Sequence, residues 1–342
     1  MPKKNAADNR IVFDAHILRL IVLFICINAI FGIITNGKIF KVSMIGSMLN
    51  QLPEYGIIAL GIMITRISGG IDLSAVGVAN LAAILSAKYM LAFMDMNAQG
   101  MNAFTSLLMA FLVAFGVGVL LGALNGYLIC KLNLPAMVVT IGTGKLFTGI
   151  GIILTEGRTI SKMPVSYYTL IQAKIGIVPI PILFYLACAL LMVFLLYKTR
   201  FGLQLYLQGT NAVAARFSGI SKRSILIRAY ILSACMSVLG GMIMLGRFNS
   251  VNASNGSTYA LLGVLICMMG GINPTGGLGR VEGVIISTFI LQMISSGMSL
   301  FGGISTFYNQ LIYGALLLLF MVFNYYINKN REYRLRMSLS KS

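Results

Sequence analysis

Residues 181–197 read PILFYLACALLMVFLLY, and this uncharged run decides the class of fold. Residues 303–324 form a second run without charge. An α-helix needs about 20 mostly apolar residues to cross the hydrocarbon core of a bilayer. Of all 342 residues, 58% are hydrophobic and 10% are charged, whereas a soluble domain carries about 25% charged residues. The chain is therefore predicted to be an integral membrane protein.

The succession of apolar runs predicts an all-α membrane protein with about ten transmembrane helices, some of them broken. An even number of spans places both termini on one side. The sequence divides into an N-terminal tail (1–16), a transmembrane domain (17–326) and a C-terminal tail (327–342). The predicted spans are 17–36, 44–66, 72–92, 104–130, 135–155, 179–198, 224–245, 258–271, 281–299 and 304–326.

Charge decides which side the termini face. Basic residues cluster in both tails and in the loop at 199–223. Because Lys and Arg concentrate in cytoplasmic loops, both termini and this loop are predicted to be cytoplasmic. The net charge of +18 thus reflects membrane topology and does not indicate nucleic-acid binding.

The segment GGIDLS at 69–74 lies between two apolar runs with no room for a long loop. Adjacent glycines allow backbone conformations that other residues resist. The segment is either a broken helix beside a path through the membrane or a tight surface turn in which Asp72 caps the next helix. Polar or glycine positions in and beside spans are the candidates for lining such a path: Gly70, Asp72, Ser74, Asn80, Asn125, Thr140 and Thr143.

Two basic residues fall in or near apolar spans. Arg66 is close to the cytoplasmic end of its span and is expected to extend its side chain to the membrane surface. Lys145 lies deeper, where a charge costs about 2.5–3.5 kcal/mol on insertion scales. It either lines a cavity or reaches an interface.

Glycines predict two further features. Gly118, Gly122 and Gly126 form consecutive GxxxG steps, which allow close helix approach in lipid. The stretch 60–72 resembles 262–273, which raises an internal repeat as a possibility, although glycine-rich helix ends also resemble each other by chance.

The loop at 199–223 contains a short predicted helix. Asn211 is a suitable N-terminal cap, alanines follow, and Gly219 is a suitable terminator. A helix here either docks into a groove on a soluble partner or lies on anionic lipid, and its residues alone leave both open.

Catalytic and cofactor motifs are missing from the sequence. No phosphate-binding GxxxxGK[ST] loop occurs, and His16 is the single histidine. The chain is therefore predicted not to be an enzyme and to carry no cofactor or metal.

Three segments together resemble the ribose-type (monosaccharide) permease family of ABC importers. They are GGIDLS at 69–74; LNG, LPA and TIGT within 124–143; and GTNAVAARFSGI at 209–220. The chain departs from the family's usual GGIDLSVG by having Ala75 before Val76-Gly77. Arg66 and Lys145 stand where uncharged residues are expected.

The resemblance implies a permease subunit in the bacterial cell membrane that translocates a pentose or hexose. It implies a cytoplasmic ATPase subunit that binds ATP-Mg, a second permease copy or paralogue, and an extracytoplasmic sugar-binding protein that meets the loops at 95–102 and 246–258. A furanosyl signalling molecule or a nucleoside is the alternative cargo. The residues implied to couple to the ATPase are Asn211, Ala214, Ala215, Arg216, Ser218, Gly219 and Ile220.

A stand-alone, ion-coupled secondary transporter is the competing class. Such proteins use acidic residues inside their spans. The sequence has eight acidic residues, and none is expected at mid-membrane. The short cytoplasmic helix also argues against this class.

Overall fold

The computed structural model describes residues 15–97, 100–300, 311–319 and 322. Within them the chain is built almost entirely from helices. These are α1 (Ala15–Ile34), α2 (Val42–Ile67), α3 (Ala75–Phe93), α4 (Gly100–Leu132), α5 (Ala136–Thr155), α6 (Val165–Gln172), α7 (Ile180–Lys198), α8 (Arg200–Thr210), α9 (Ala212–Phe217), α10 (Lys222–Phe248), α11 (Tyr259–Met269) and α12 (Val281–Ser299). Residues 311–319 are also helical.

Seven of the helices in the described ranges are long and apolar enough to cross a membrane: α1, α3, α4, α5, α7, α10 and α12. The second predicted span corresponds to α2, which contains Pro53, Glu54 and Arg66 and is not among the seven. The eighth corresponds to α11, which has 11 residues. The tenth falls largely outside the described residues, as do most of the N-terminal tail and all of the C-terminal tail.

Short elements complete the fold. A 3₁₀ turn, Lys38–Phe40, separates α1 from α2. The strands β1 (Ile160–Ser161) and β4 (Ser250–Val251) pair antiparallel, with Ile160 opposite Val251. The strands β2 (Lys174–Ile175) and β3 (Val178–Pro179) form a hairpin before α7. The helix α8 was not predicted; in the structure it follows α7 almost without interruption.

Helix α10 lies at the centre and packs against α2, α3 and α4. The glycine row on α4 brings the α4 and α10 backbones together. A Cβ added at Gly122 would lie 2.7 Å from the Tyr230 carbonyl oxygen, and one at Gly126 would lie 2.6 Å from the Ile227 Cα. The predicted role of these glycines in close helix packing is confirmed.

The helix break after α2 is real. Gly69 has a φ of +88°, the Gly70 N–H donates to the Thr65 carbonyl at 2.9 Å, and α3 begins at Ala75. This is the glycine-terminated geometry common at helix C-termini.

The matching stretch after α11 ends in the same kind of turn, one residue out of register with the sequence match. There Gly271, not Gly270, has positive φ (+81°), and the chain stays irregular until Val281. The two stretches thus share a helix-terminating turn.

Candidate functional site

The break between α2 and α3 is closed by a buried polar cluster, here called the Asp72 cluster: Asp72, Ser74, Asn125 and Ser233. Asp72 is 1% exposed. Its Oδ1 accepts from the Ser74 N–H (3.0 Å) and the Ser74 hydroxyl (2.6 Å), and its Oδ2 accepts from the Ser233 hydroxyl at 2.8 Å. The Asn125 amide donates to Ser74 Oγ at 2.7 Å. The cluster ties α4 and α10 to the broken segment.

The backbone of the break is satisfied by side chains of other helices. The Ile71 carbonyl accepts from the Thr140 hydroxyl at 3.1 Å and from the Tyr230 hydroxyl at 3.3 Å. A Cβ at Gly70 would lie 2.6 Å from that Tyr230 oxygen, so a larger residue there would displace the Tyr230 hydroxyl. Irregular backbone is tolerated at membrane depth only where protein or a cavity meets it. The broken-helix interpretation of GGIDLS is therefore favoured over the surface turn.

A cavity of about 230 Å³ lies beside the break, here called the Lys145 groove; its lining includes Gly77, Asn80, Lys145, Thr148, Ser254 and Ser257. One wall is the irregular segment at 252–258. The Asn80 amide holds that segment by donating to the carbonyls of Ala253 (3.0 Å) and Asn255 (2.8 Å). Part of the loop expected to meet a binding protein thus packs against α3. Lys145 lies at this groove, and its residue is exposed.

Arg66 is nearly buried in the structure, and the extension of its side chain to the membrane surface stays a prediction. Its residue is 8% exposed, and its Nε lacks a hydrogen-bond partner in the part of the chain that the structure describes. Helix α2 is buried from Leu52 to Ile67.

The predicted pathway residues thus separate into two groups. Asp72, Ser74, Asn125 and Thr140 are buried in or beside the closed cluster, and Gly70 beside them is half-buried. Asn80 lines the groove, and Thr143 is half-buried on α5. Their part in translocation stays a prediction. The groove serines were missed, because nothing in the sequence brings the 252–258 segment to α5.

The predicted short helix in the cytoplasmic loop is present as α9. Asn211 Oδ1 accepts from the Val213 and Ala214 N–H groups, both at 3.0 Å. Gly219 has a φ of +75°, and the Ile220 N–H donates to the Ala215 carbonyl at 3.0 Å. Both predicted helix ends are confirmed.

The exposed face of α9 is apolar at two positions that sequence analysis missed. Val213 is 66% and Phe217 is 88% exposed. They are four residues apart and so lie on one helix face. Ala215 is buried, whereas Asn211, Ala214, Arg216, Ser218 and Gly219 are exposed and Ile220 is half-buried. This i, i+4 apolar pair is the usual form of a helix that fits into a groove on a partner, and its spacing was readable in the sequence.

Helix α8 connects α9 to the membrane part. Gly209 lies against the Ile67 carbonyl and the Gly277 N–H, and the Gly277 N–H donates to that same carbonyl at 2.9 Å. The Tyr206 hydroxyl donates to the Gly279 carbonyl at 2.8 Å. Burial, with a smaller effect of Glu282, raises the pKa of Tyr206 to about 12, so this donor stays protonated at neutral pH. The cytoplasmic loop, the end of α2 and the α11–α12 connection therefore meet in one place.

Acidic residues do occur inside the bundle, contrary to expectation. Glu54 is fully buried, forms an ion pair with Arg247 and accepts from the Tyr259 hydroxyl at 3.1 Å. Asp72 is buried as described. Both carboxylates accept hydrogen bonds from residues on neighbouring helices, and these bonds join the helices together.

Comparison with a solved structure shows the fold of the chain. The chain superposes on the structure of a metal-chelate-type ABC transporter in an inward-facing conformation with a TM-score of 0.53 and 15% identity, covering 90% of this chain and 98% of that chain. At this identity the likeness concerns the fold alone. The fold is that of an ABC transporter permease.

Sequence comparison gives the family. The family model described as the permease component of branched-chain amino acid transport systems matches residues 44–321, and the chain belongs to this family of permeases. It is 29% identical to an autoinducer 2 import system permease of Photorhabdus luminescens, over 90% of this chain and 89% of that protein. It is 28% identical to the ribose import permease of Bacillus subtilis (91% and 94% covered) and 29% identical to the L-arabinose permease of Escherichia coli (81% of each).

The resemblance to monosaccharide permeases is thereby confirmed. The chain is the membrane-spanning permease subunit of an ABC importer, a multi-pass protein of the bacterial cell membrane.

Proposed function

We propose that this permease translocates a monosaccharide, a pentose or a hexose, with energy from ATP that a separate cytoplasmic subunit binds and hydrolyses as ATP-Mg. The named cargoes of relatives support the cargo class: ribose, D-allose and L-arabinose. This chain would itself be no enzyme and would hold no cofactor. An extracytoplasmic binding protein would deliver the sugar, and a second copy or paralogue would form the other half of the pathway.

The topology proposed for this function has ten spans, with both tails (1–16 and 327–342) in the cytoplasm. The charge pattern supports it, because the basic loop containing α8 and α9 then shares a compartment with the basic tails. The single observation that carries the function is the exposed Val213–Phe217 pair on α9. An apolar pair with its aromatic member 88% exposed is the kind of anchor that fills a pocket on a partner.

Coupling would run through α8. When the ATPase subunits close, α9 moves with them, and the close packing of Gly209 on Ile67 and Gly277 passes the displacement to both irregular segments. A docking aromatic that is lost costs about 2 kcal/mol or more in binding, which corresponds to roughly a thirtyfold weaker interface.

The test is co-purification of the detergent-solubilised chain with its ATPase subunit. Phe217→Asp is expected to lose the ATPase, and Arg216→Glu to weaken its retention. The matched control is Ile175→Asp, since Ile175 is 65% exposed on the β2–β3 hairpin, away from α9. Equal retention by both aspartate variants would refute α9 as the docking element.

A furanosyl signalling molecule is the second candidate cargo, because the autoinducer 2 permease matches at 29% identity over 90% of the chain. Uptake of labelled ribose, in competition with allose, arabinose, autoinducer 2 and a nucleoside, separates these possibilities. The strongest competitor identifies the cargo class.

A further inference from the structure

The Lys145 groove carries an unbalanced positive charge in the middle of the membrane part. Lys145 is the tenth of the 20 residues of α5, so it lies about 14 Å from either helix end. A lysine side chain is shorter than that, and the Lys145 residue is exposed at the groove. It therefore needs water, an anion or a polar ligand within the groove.

The Lys145 ammonium has no anionic partner among the residues that the structure describes. Lys145 is the one charged residue in the groove lining. Among the residues that the structure describes, none forms an ion pair or hydrogen bond with its Nζ. Two lysines on the neighbouring helices α3 and α4 differ: Lys88 donates to the Leu154 carbonyl, and Lys131 donates to the Tyr127 hydroxyl.

The rest of the lining suits a small hydroxylated ligand. Asn80 is 1% exposed, and both of its donated hydrogen bonds go to the 252–258 segment. Its Oδ1 is buried and has no partner in the described part of the chain. A buried acceptor left unpaired is costly, and a hydroxyl group would satisfy it. Ser254, Ser257 and Thr148 add hydroxyls.

The volume of the groove limits the size of the ligand that it can hold. Its volume of about 230 Å³ is below the roughly 300–1,000 Å³ of pockets that hold drug-sized molecules. A single sugar ring is of the appropriate size. Gly77 keeps the wall close, because a Cβ there would lie 2.7 Å from the Gly144 carbonyl oxygen.

We infer that the Lys145 groove binds a monosaccharide bearing an anionic group, such as a sugar acid, with Lys145 on the anion and Asn80 on a hydroxyl. This deepens the proposed function and rests on it for the cargo's being a sugar. The anion preference itself rests on the groove alone.

The test uses charged thiol reagents, which need no ATP and no partner. Ser257→Cys places a thiol in the groove of the full chain in membranes. Its modification by an anionic and by a cationic methanethiosulfonate is quantified at that residue by peptide mass spectrometry and normalised to a small thiol in solution. Within one cavity a lysine charge favours the anionic over the cationic reagent by about fivefold or more.

Adding Lys145→Met is expected to remove this preference, and Lys145→Arg to keep it. Lys131→Met, which removes a lysine outside the groove, is expected to leave it unchanged. Galacturonate should slow the labelling more than galactose at the same concentration, and only while residue 145 is basic. Equal normalised rates for the two reagents in the presence of Lys145, or equal protection by the two sugars, would overturn the inference.

The outcome is distinguishable from failure of the proposed function. Charge-selective labelling with no ATP-driven uptake would refute the importer and retain the anion site. ATP-driven uptake of neutral sugars without charge-selective labelling would refute the anion site and retain the importer.

Discussion

Replacing Asp72 tests whether the buried cluster holds the helix break together. The Asp72→Ala change removes the acceptor of three hydrogen bonds and leaves the Ser74 N–H and the Ser233 hydroxyl without their partner in a buried site. Each unsatisfied buried group costs about 1–3 kcal/mol, so the loss in free energy of unfolding from these two groups should be about 2–6 kcal/mol.

Asp72→Asn is the matched control. Its amide oxygen can still accept from Ser74, and its NH₂ group can donate to Ser233 Oγ, because a hydroxyl both donates and accepts. The expected cost is about 1 kcal/mol. Ser233→Ala combined with Asp72→Ala should cost less than the sum of the two single changes, since both remove the same contact.

The assay is unfolding by sodium dodecyl sulfate in mixed micelles. The chain contains no tryptophan, so the readout is dye labelling at Cys267, which is fully buried in the native fold. An Asp72→Ala chain as stable as wild type would refute the structural role of the cluster. If the asparagine variant were as unstable as the alanine one, the carboxylate charge, and not the hydrogen-bond count, would be the stabilising factor.

Three further changes follow from the packing. Gly122→Leu should cost about 1–3 kcal/mol in the same unfolding assay, because the α10 backbone lies 2.7 Å from a Cβ placed there. Gly116→Ala, with no atom within 4 Å of its added Cβ, should change the free energy of unfolding by less than about 0.5 kcal/mol. Equal effects of the two changes would contradict the α4–α10 contact. Gly209→Ala should leave the ATPase subunit bound but abolish most uptake, because α8 can no longer pack closely against the C-terminal end of α2. Normal uptake per ATP hydrolysed would count against coupling through α8. Glu54→Gln should lower the free energy of unfolding by up to about 3 kcal/mol by leaving Arg247 half-buried without its carboxylate, and adding Arg247→Met should restore part of it; no recovery would mean that the pair does not act as a unit.

Local chemistry made much of the fold predictable. The apolar runs located the long helices to within a few residues, because length and hydropathy are sufficient for a span in lipid. Asn211 and Gly219 gave both ends of α9, since capping depends on neighbours along the chain. The glycine row on α4 gave a helix contact for the same reason.

Contacts between residues far apart in the sequence could not be predicted. The sequence left open whether Asp72 caps a helix at the surface or lies in a broken helix. The hydrogen bond from Ser233, 161 residues away, places Asp72 inside the bundle. Lys145 lines a cavity because the 252–258 segment is held against α3 by Asn80. Arg66 sits near a helix end and its residue is nevertheless only 8% exposed, because α2 is buried from Leu52 to Ile67.

The central claim, an ATP-driven importer coupled through α9, is tested most directly by reconstitution. The chain, with Phe217 or with Phe217→Asp, is placed in proteoliposomes with its ATPase subunit, ATP is enclosed in the lumen, and binding protein is added outside with labelled monosaccharide. The account predicts sugar accumulation that requires enclosed ATP and is lost in Phe217→Asp. Accumulation driven by a sodium or proton gradient without ATP, or undiminished in the Phe217→Asp protein, would contradict it.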